Sequence, residues 1–119
     1  MTLKICRADL KRDTDWLSKM DPYCLVFYEG KKLKTDVLQE AGKNPVWNMP
    51  FKIFINDTEG SIKFEVRDED NMSSDLVGKA DCILRDILFG KVGEQQIELL
   101  YEGQTAGTLV IETTFEEVA

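Results

Sequence analysis

Two segments of this sequence gather carboxylates between apolar runs. Asp13-Thr14-Asp15-Trp16-Leu17-Ser18-Lys19-Met20-Asp21-Pro22-Tyr23 lies between the first two runs, and Asp68-Glu69-Asp70-Asn71-Met72-Ser73-Ser74-Asp75 follows the run ending at Val66-Arg67. If both segments are loops at one end of a sheet protein, Asp15, Asp21, Asp68, Asp70 and Asp75 face one small volume. Carboxylates crowded in that way raise one another's proton affinity. A hard divalent cation with about six to eight oxygen ligands removes the penalty, and calcium accepts a flexible loop shell where magnesium demands a tight octahedron. Asp68 and Asp70 share strand parity, so both side chains leave the same side as strand becomes loop. A single D-x-D is cheap in a chain with 11 aspartates, and its bland reading is a solvated acidic loop.

Other chemistries find less support. The chain has no histidine, which removes histidine bases and triads and disfavours zinc. Carboxylate pairs are too abundant to mark a glycosidase, and Gly103-Gln104-Thr105-Ala106-Gly107 reads as a turn between strands, not a nucleotide loop. The expectation is a protein that binds and does not catalyse. A formal charge of -7 disfavours nucleic acid, and an anionic surface would need a basic patch or a bound cation. Cys6, Cys24 and Cys82 are widely spaced and odd in number, as expected of reduced thiols in a cytosolic setting. Neither an apolar signal run at Met1-Thr2-Leu3-Lys4 nor a run of about 18 apolar residues occurs, so export and membrane spanning are not expected.

The elements that must position the aspartates are short strands. Ile62, Phe64 and Val66 alternate with Lys63, Glu65 and Arg67, giving a strand over Ser61 to Asp68 with one buried face. Leu3 and Ile5 suggest a first strand, and Tyr23 to Tyr28, apolar on both phases, a central one. Further strands are expected from Lys32 to Val37, Phe51 to Ile55, Leu76 to Leu84, Gln95 to Tyr101 and Thr108 to Phe115, with one helical turn over Arg85 to Leu88. Pro45 and Pro50 are expected to flank the approach to Phe51, and Trp47 to anchor it. About eight strands in 119 residues describe one antiparallel sandwich spanning residues 1–119, with function left to its loops.

Taken in order, Asp21-Pro22-Tyr23, Lys34-Thr35, Asn44-Pro45-Val46-Trp47-Asn48, Val66-Arg67-Asp68-Glu69-Asp70 and Asp75-Leu76-Val77-Gly78 resemble the C2 domain family, over nearly the whole chain from Leu3 to Phe115. The resemblance implies an all-β, eight-stranded antiparallel β-sandwich of Greek-key connection. The opening Leu3-Lys4-Ile5 and closing Gly107 to Ile111 look like the phospholipase-type order, type II topology. Family ligands for calcium fall on Asp15 and Asp21 in the first loop and on Asp68, Asp70 and Asp75 in the third. Two Ca2+ ions are implied. The interval from Asp70 to Asp75 is one residue shorter than the commonest form, which leaves a third ion and the role of Asp75 open, with Ser74 or a nearby carbonyl as substitutes.

The implied function is calcium-dependent binding to an anionic phospholipid membrane, phosphatidylserine above all, by a cytoplasmic protein that is reversibly peripheral on membranes. Trp16, Leu17 and Met72 would then contact the membrane, although Trp16 or Leu17 could instead fold back over the sandwich end. Lys31, Lys32 and Lys34 form a candidate phosphoinositide patch, against the alternatives of a solvated face or a lysine-guarded edge. The competing reading is a protein–protein interaction module on the same sandwich, with a protein partner and with calcium structural or absent.

Overall fold

The computed structural model describes residues 1–15, 18–89 and 92–115. Eight strands run as β1 (Thr2–Leu10), β2 (Pro22–Tyr28), β3 (Lys31–Lys34), β4 (Val46–Lys52), β5 (Ser61–Glu69), β6 (Ser74–Ile83), β7 (Glu94–Tyr101) and β8 (Gln104–Thr114). A short helix, α1 (Leu84–Leu88), follows β6, where one helical turn is expected from the sequence. All pairings are antiparallel, in the order β3-β2-β5-β6-β7-β8-β1-β4. The register between β6 and β7 is confined to Lys79 opposite Leu100, so this narrow seam divides the ladder into two four-stranded halves.

One core joins the halves. Val26, Phe64 and Val66 from one side and Leu3, Ile5, Leu99, Leu109 and Ile111 from the other are fully buried in a common cluster. Each such side chain contributes roughly 1.5–3 kcal/mol by leaving water. The halves pack tightly at Gly78, where an added Cβ would lie 2.9 Å from Ala106 Cβ and 3.0 Å from Leu99 Cβ. The architecture is therefore the expected eight-stranded antiparallel sandwich, with β1 paired to both β8 and β4.

Two hairpins close with paired left-handed residues, Glu29-Gly30 (φ 46° and 76°) and Glu102-Gly103 (φ 50° and 79°). This is the turn whose twist matches flanking strands. Several boundaries differ from the sequence expectation, three of them with a physical reason. β4 covers Val46–Lys52, not Phe51 to Ile55, and holds Pro50 inside it. As the last strand in the order, it tolerates a residue without an N–H. Residues 104–107 belong to β8, and the turn is reduced to Glu102-Gly103. β3 stops at Lys34, although Thr35 continues its pairing through its amide to Cys24 O (2.9 Å) and its hydroxyl, which accepts the Cys24 amide (2.8 Å).

Candidate functional site

Pro22 and Asp68 stand opposite each other where β2 and β5 enter the loops. Pro22 has no N–H for the ladder. The adjacent donor, the Asp21 amide, goes instead to Asp68 Oδ1 at 2.8 Å, while the Glu69 amide donates to Asp21 O at 3.0 Å. The other oxygen, Asp68 Oδ2, accepts the Thr14 hydroxyl at 2.8 Å. Asp68 is only 3% exposed, and these two donors satisfy a carboxylate that burial would otherwise penalise.

The first loop is shaped by its own aspartates. Asp13 Oδ1 accepts the Asp15 amide (3.0 Å), and Asp15 accepts the Ser18 amide (3.0 Å) and hydroxyl (2.7 Å). Such side-chain turns are the local preference of aspartate. The loop between β3 and β4 is tied to the same place by three bonds. Leu38 N donates to Pro22 O (3.1 Å), Glu40 N to Asp21 Oδ1 (2.6 Å) and Gly42 N to Met20 O (3.0 Å).

In the loop between β5 and β6, Asp70 N donates to Ser73 O at 2.8 Å, and Asp68 faces Asp75 across the strand pair. The Asp70 carboxyl is pushed above the usual carboxylate range, first by desolvation and then by Asp75, Asp68 and Asp15, with a hydrogen bond to Asp75 acting in the same direction. Asp15, Asp68 and Asp75 are thus within electrostatic reach of Asp70, and Asp21 joins them through its amide on Asp68. Their oxygens do not form a ready chelate: among the described residues no group of three or more Asp, Glu or Cys side chains is placed to hold a metal ion. The donor set itself, all carboxylate and mutually repelling at Asp70, suits a hard divalent cation, provided the loops contract around it.

Met72 is 98% exposed at the tip of the β5–β6 loop, where the sequence reading places a membrane contact. Trp16 and Leu17 lie outside the described residues. Ser74, a candidate substitute ligand, accepts the Arg67 Nε–H at 3.1 Å. Lys31 and Lys32 are exposed on β3, which ends the strand order and is guarded by lysine. Lys34 is engaged, with its Nζ 3.8 Å from Glu69 and 4.5 Å from the Tyr23 ring centre. Trp47 is half-buried against the core, and its indole Nε1 is buried without a hydrogen-bond partner. Sequence reasoning did not single out Thr14 or Glu40. For Thr14 the only signal is a hydroxyl flanked by Asp13 and Asp15; for Glu40 there is none.

Comparison with known proteins gives a consistent family. The family model of the C2 domain matches residues 1–99. Elicitor-responsive protein 1 of Oryza sativa subsp. japonica is 38% identical over 77 residues, covering 60% of this chain and 48% of that protein. Multiple C2 and transmembrane domain-containing protein 1 of Homo sapiens is 32% identical over 108 residues, covering 90% of this chain and 10% of that protein. The chain thus spans about half the length of the first relative and a tenth of the second. Among solved structures, a C2 domain of plant Extended Synaptotagmin 1 superposes with a TM-score of 0.80 at 22% identity, covering 97% of this chain and 95% of that one.

Proposed function

The chain belongs to the C2 domain family, and from that membership we propose that it binds anionic phospholipid membranes in a calcium-dependent way through the loop end that carries Asp15, Asp21, Asp68, Asp70 and Asp75. The fold is shared with the C2 domains of Extended Synaptotagmins. The C2 domain is a non-catalytic module, so binding is the activity to explain.

The observation that carries the reading is the Asp70 carboxyl, pushed up first by desolvation and then by Asp75, Asp68 and Asp15, which come from two segments far apart in sequence. A site that raises its own electrostatic cost is one that a cation stabilises. Two calcium ions, when bound, supply four positive charges and open coordination positions for a lipid phosphate or carboxylate oxygen. The five aspartates bring about -5 to this tip when ionised, so the loaded tip is near -1 and no longer repels an anionic surface. Met72 presents an apolar side chain to the interface beside them. Lys31 and Lys32 are placed to add attraction for anionic headgroups, phosphoinositides included, while Lys34 is held by Glu69. In this reading the protein works in the cytoplasm and meets membranes reversibly.

One observation favours a second reading, a protein-interaction module. Asp21, Asp68 and Asp15 already accept hydrogen bonds that staple the loops, and no ready metal cluster stands among the described residues. Carboxylates used in this way would give the sandwich a fixed surface for a protein partner. Co-sedimentation with vesicles containing or lacking phosphatidylserine, in calcium and in chelator, separates the two. The proposed function requires binding only with calcium and the anionic lipid together. Absence of binding in every condition selects the protein-interaction module.

A further inference from the structure

We propose that the free edge of β3 takes an acidic, extended segment of a partner protein as an added strand. The edge runs along the flank of the sandwich, so the proposal is independent of what the aspartate loops bind. β3 pairs with β2 alone and ends the strand order. In an antiparallel ladder, alternate residues turn their N–H and C=O toward the partner strand and the others turn them away. Thr35 N bonds to Cys24 O, so Leu33 opposite Val26 and Lys31 opposite Tyr28 also face β2. Lys32 and Lys34 therefore aim their backbone groups outward, and among the described residues no hydrogen bond from elsewhere in the chain reaches those groups. The following loop passes them by, with Leu38, Glu40 and Gly42 bonded to residues 20–22 instead.

Charge selects the occupant. Lys31 and Lys32 are exposed and form no ion pair among the described residues, in a protein of formal charge -7. Like charges opposite each other destabilise a strand pair and opposite charges stabilise it. The β3 of a second copy is therefore repelled, and a strand carrying carboxylates is drawn in. The lysines that guard the edge against self-association thereby specify an acidic partner. The other end of the order is spoiled for pairing, because in β4 Pro50 lacks an N–H and Asn48 is left-handed at φ 48°. An anionic lipid headgroup would engage the lysine ammonium groups but has no backbone to complete the ladder at Lys32 and Lys34.

The test uses the whole chain with a short capped peptide alternating glutamate with threonine, and follows backbone amide hydrogen exchange by NMR. Binding is expected to slow exchange at Lys32 and Lys34 about tenfold or more, while Lys31 and Leu33, already bonded to β2, change little. Glutamine in place of glutamate in the peptide, or Lys31→Glu with Lys32→Glu in the protein, should weaken binding about tenfold, since two attractive cross-strand pairs are lost or reversed. Lys52→Glu, an exposed change on β4, should leave binding unaltered. Peptides N-methylated on alternate amides, in the two possible phases, separate an added strand from a charge contact: one phase should abolish binding and the other retain it. Equal binding of both phases, an equal loss in Lys52→Glu, or unslowed exchange at Lys32 and Lys34 at millimolar peptide overturns the proposal. Vesicles containing phosphoinositide that protect β3 where the peptide does not would overturn it in favour of lipid headgroups.

Discussion

Asp21 Oδ1 accepts the Glu40 amide at 2.6 Å, and Glu40 is held there at φ 55°, in the left-handed region that a non-glycine residue enters at a cost. The same aspartate is an expected calcium ligand. Its carboxylate therefore serves the loop between β3 and β4 and, under the proposed function, a cation as well, and the two roles can be taken apart by substitution.

Asp21→Asn keeps an oxygen for the Glu40 amide and removes the charge, whereas Asp21→Ala removes both. Asp21→Ala is expected to lose about 1 kcal/mol of stability in chelator, and Asp21→Asn much less. Urea unfolding measures this. In calcium titrations both variants should bind weakly, and wild-type affinity in Asp21→Asn would exclude Asp21 from the ligand set.

Asp70 gives the pH dependence. Its folded-state proton affinity is raised by desolvation and by Asp75, Asp68 and Asp15, so the folded protein favours the protonated form more than the unfolded chain does. The strain belongs to the ionised form and is relieved as pH falls through the raised value. Asp70→Asn should therefore melt higher than wild type in chelator at neutral pH, with the gap narrowing on acidification. In millimolar calcium the order should reverse, because wild type gains stability by mass action and the variant gains less. A variant that melts no higher at neutral pH would show that the carboxylates do not crowd.

Gly107 lies within β8 at φ 147°, paired with Leu10 of β1 and Leu99 of β7. A Cβ there would sit 2.4 Å from Asp9 O and 2.8 Å from Leu10 Cα, both backbone atoms that cannot rotate away. Gly107→Ala is expected to destabilise by about 3 kcal/mol or more. Thermal unfolding within a few degrees of wild type would contradict the close approach of β1 and β8.

The thiols should react in order of access. Cys6 and Cys24 are fully buried and Cys82 is half-buried. Desolvation raises all three thiol pKa values; for Cys82, Asp81 and Asp86 add to it. Thiolate is the reactive form. A colorimetric thiol reagent should label Cys82 first and slowly, and reach Cys24 only on unfolding. Fast labelling of Cys24 in the native state would reveal an opening of β2 from β3.

Local pattern determined much of this protein. Alternation over Ser61 to Arg67 specifies a strand with one face inside, and β5 buries Ile62, Phe64 and Val66 accordingly. The spacing of Asp68 and Asp70 and the Asp21-Pro22 junction were legible too, because strand ends and prolines act within a few residues of themselves. Tertiary structure decided the rest through contacts between distant residues. Pro50 sits inside β4 because that strand occupies an edge, a property of sheet order and not of the residues around it. Lys34 pairs with Glu69, and Thr14 with Asp68, only because the sandwich brings the ends of β3 and β5 and the β1–β2 loop together. Asp68 and Asp70 leave one strand two residues apart, yet Asp68 is buried under two donors while Asp70 is exposed among like charges. Sequence supplies the carboxylates; which of them are hydrogen-bonded and which repel depends on the loops they meet.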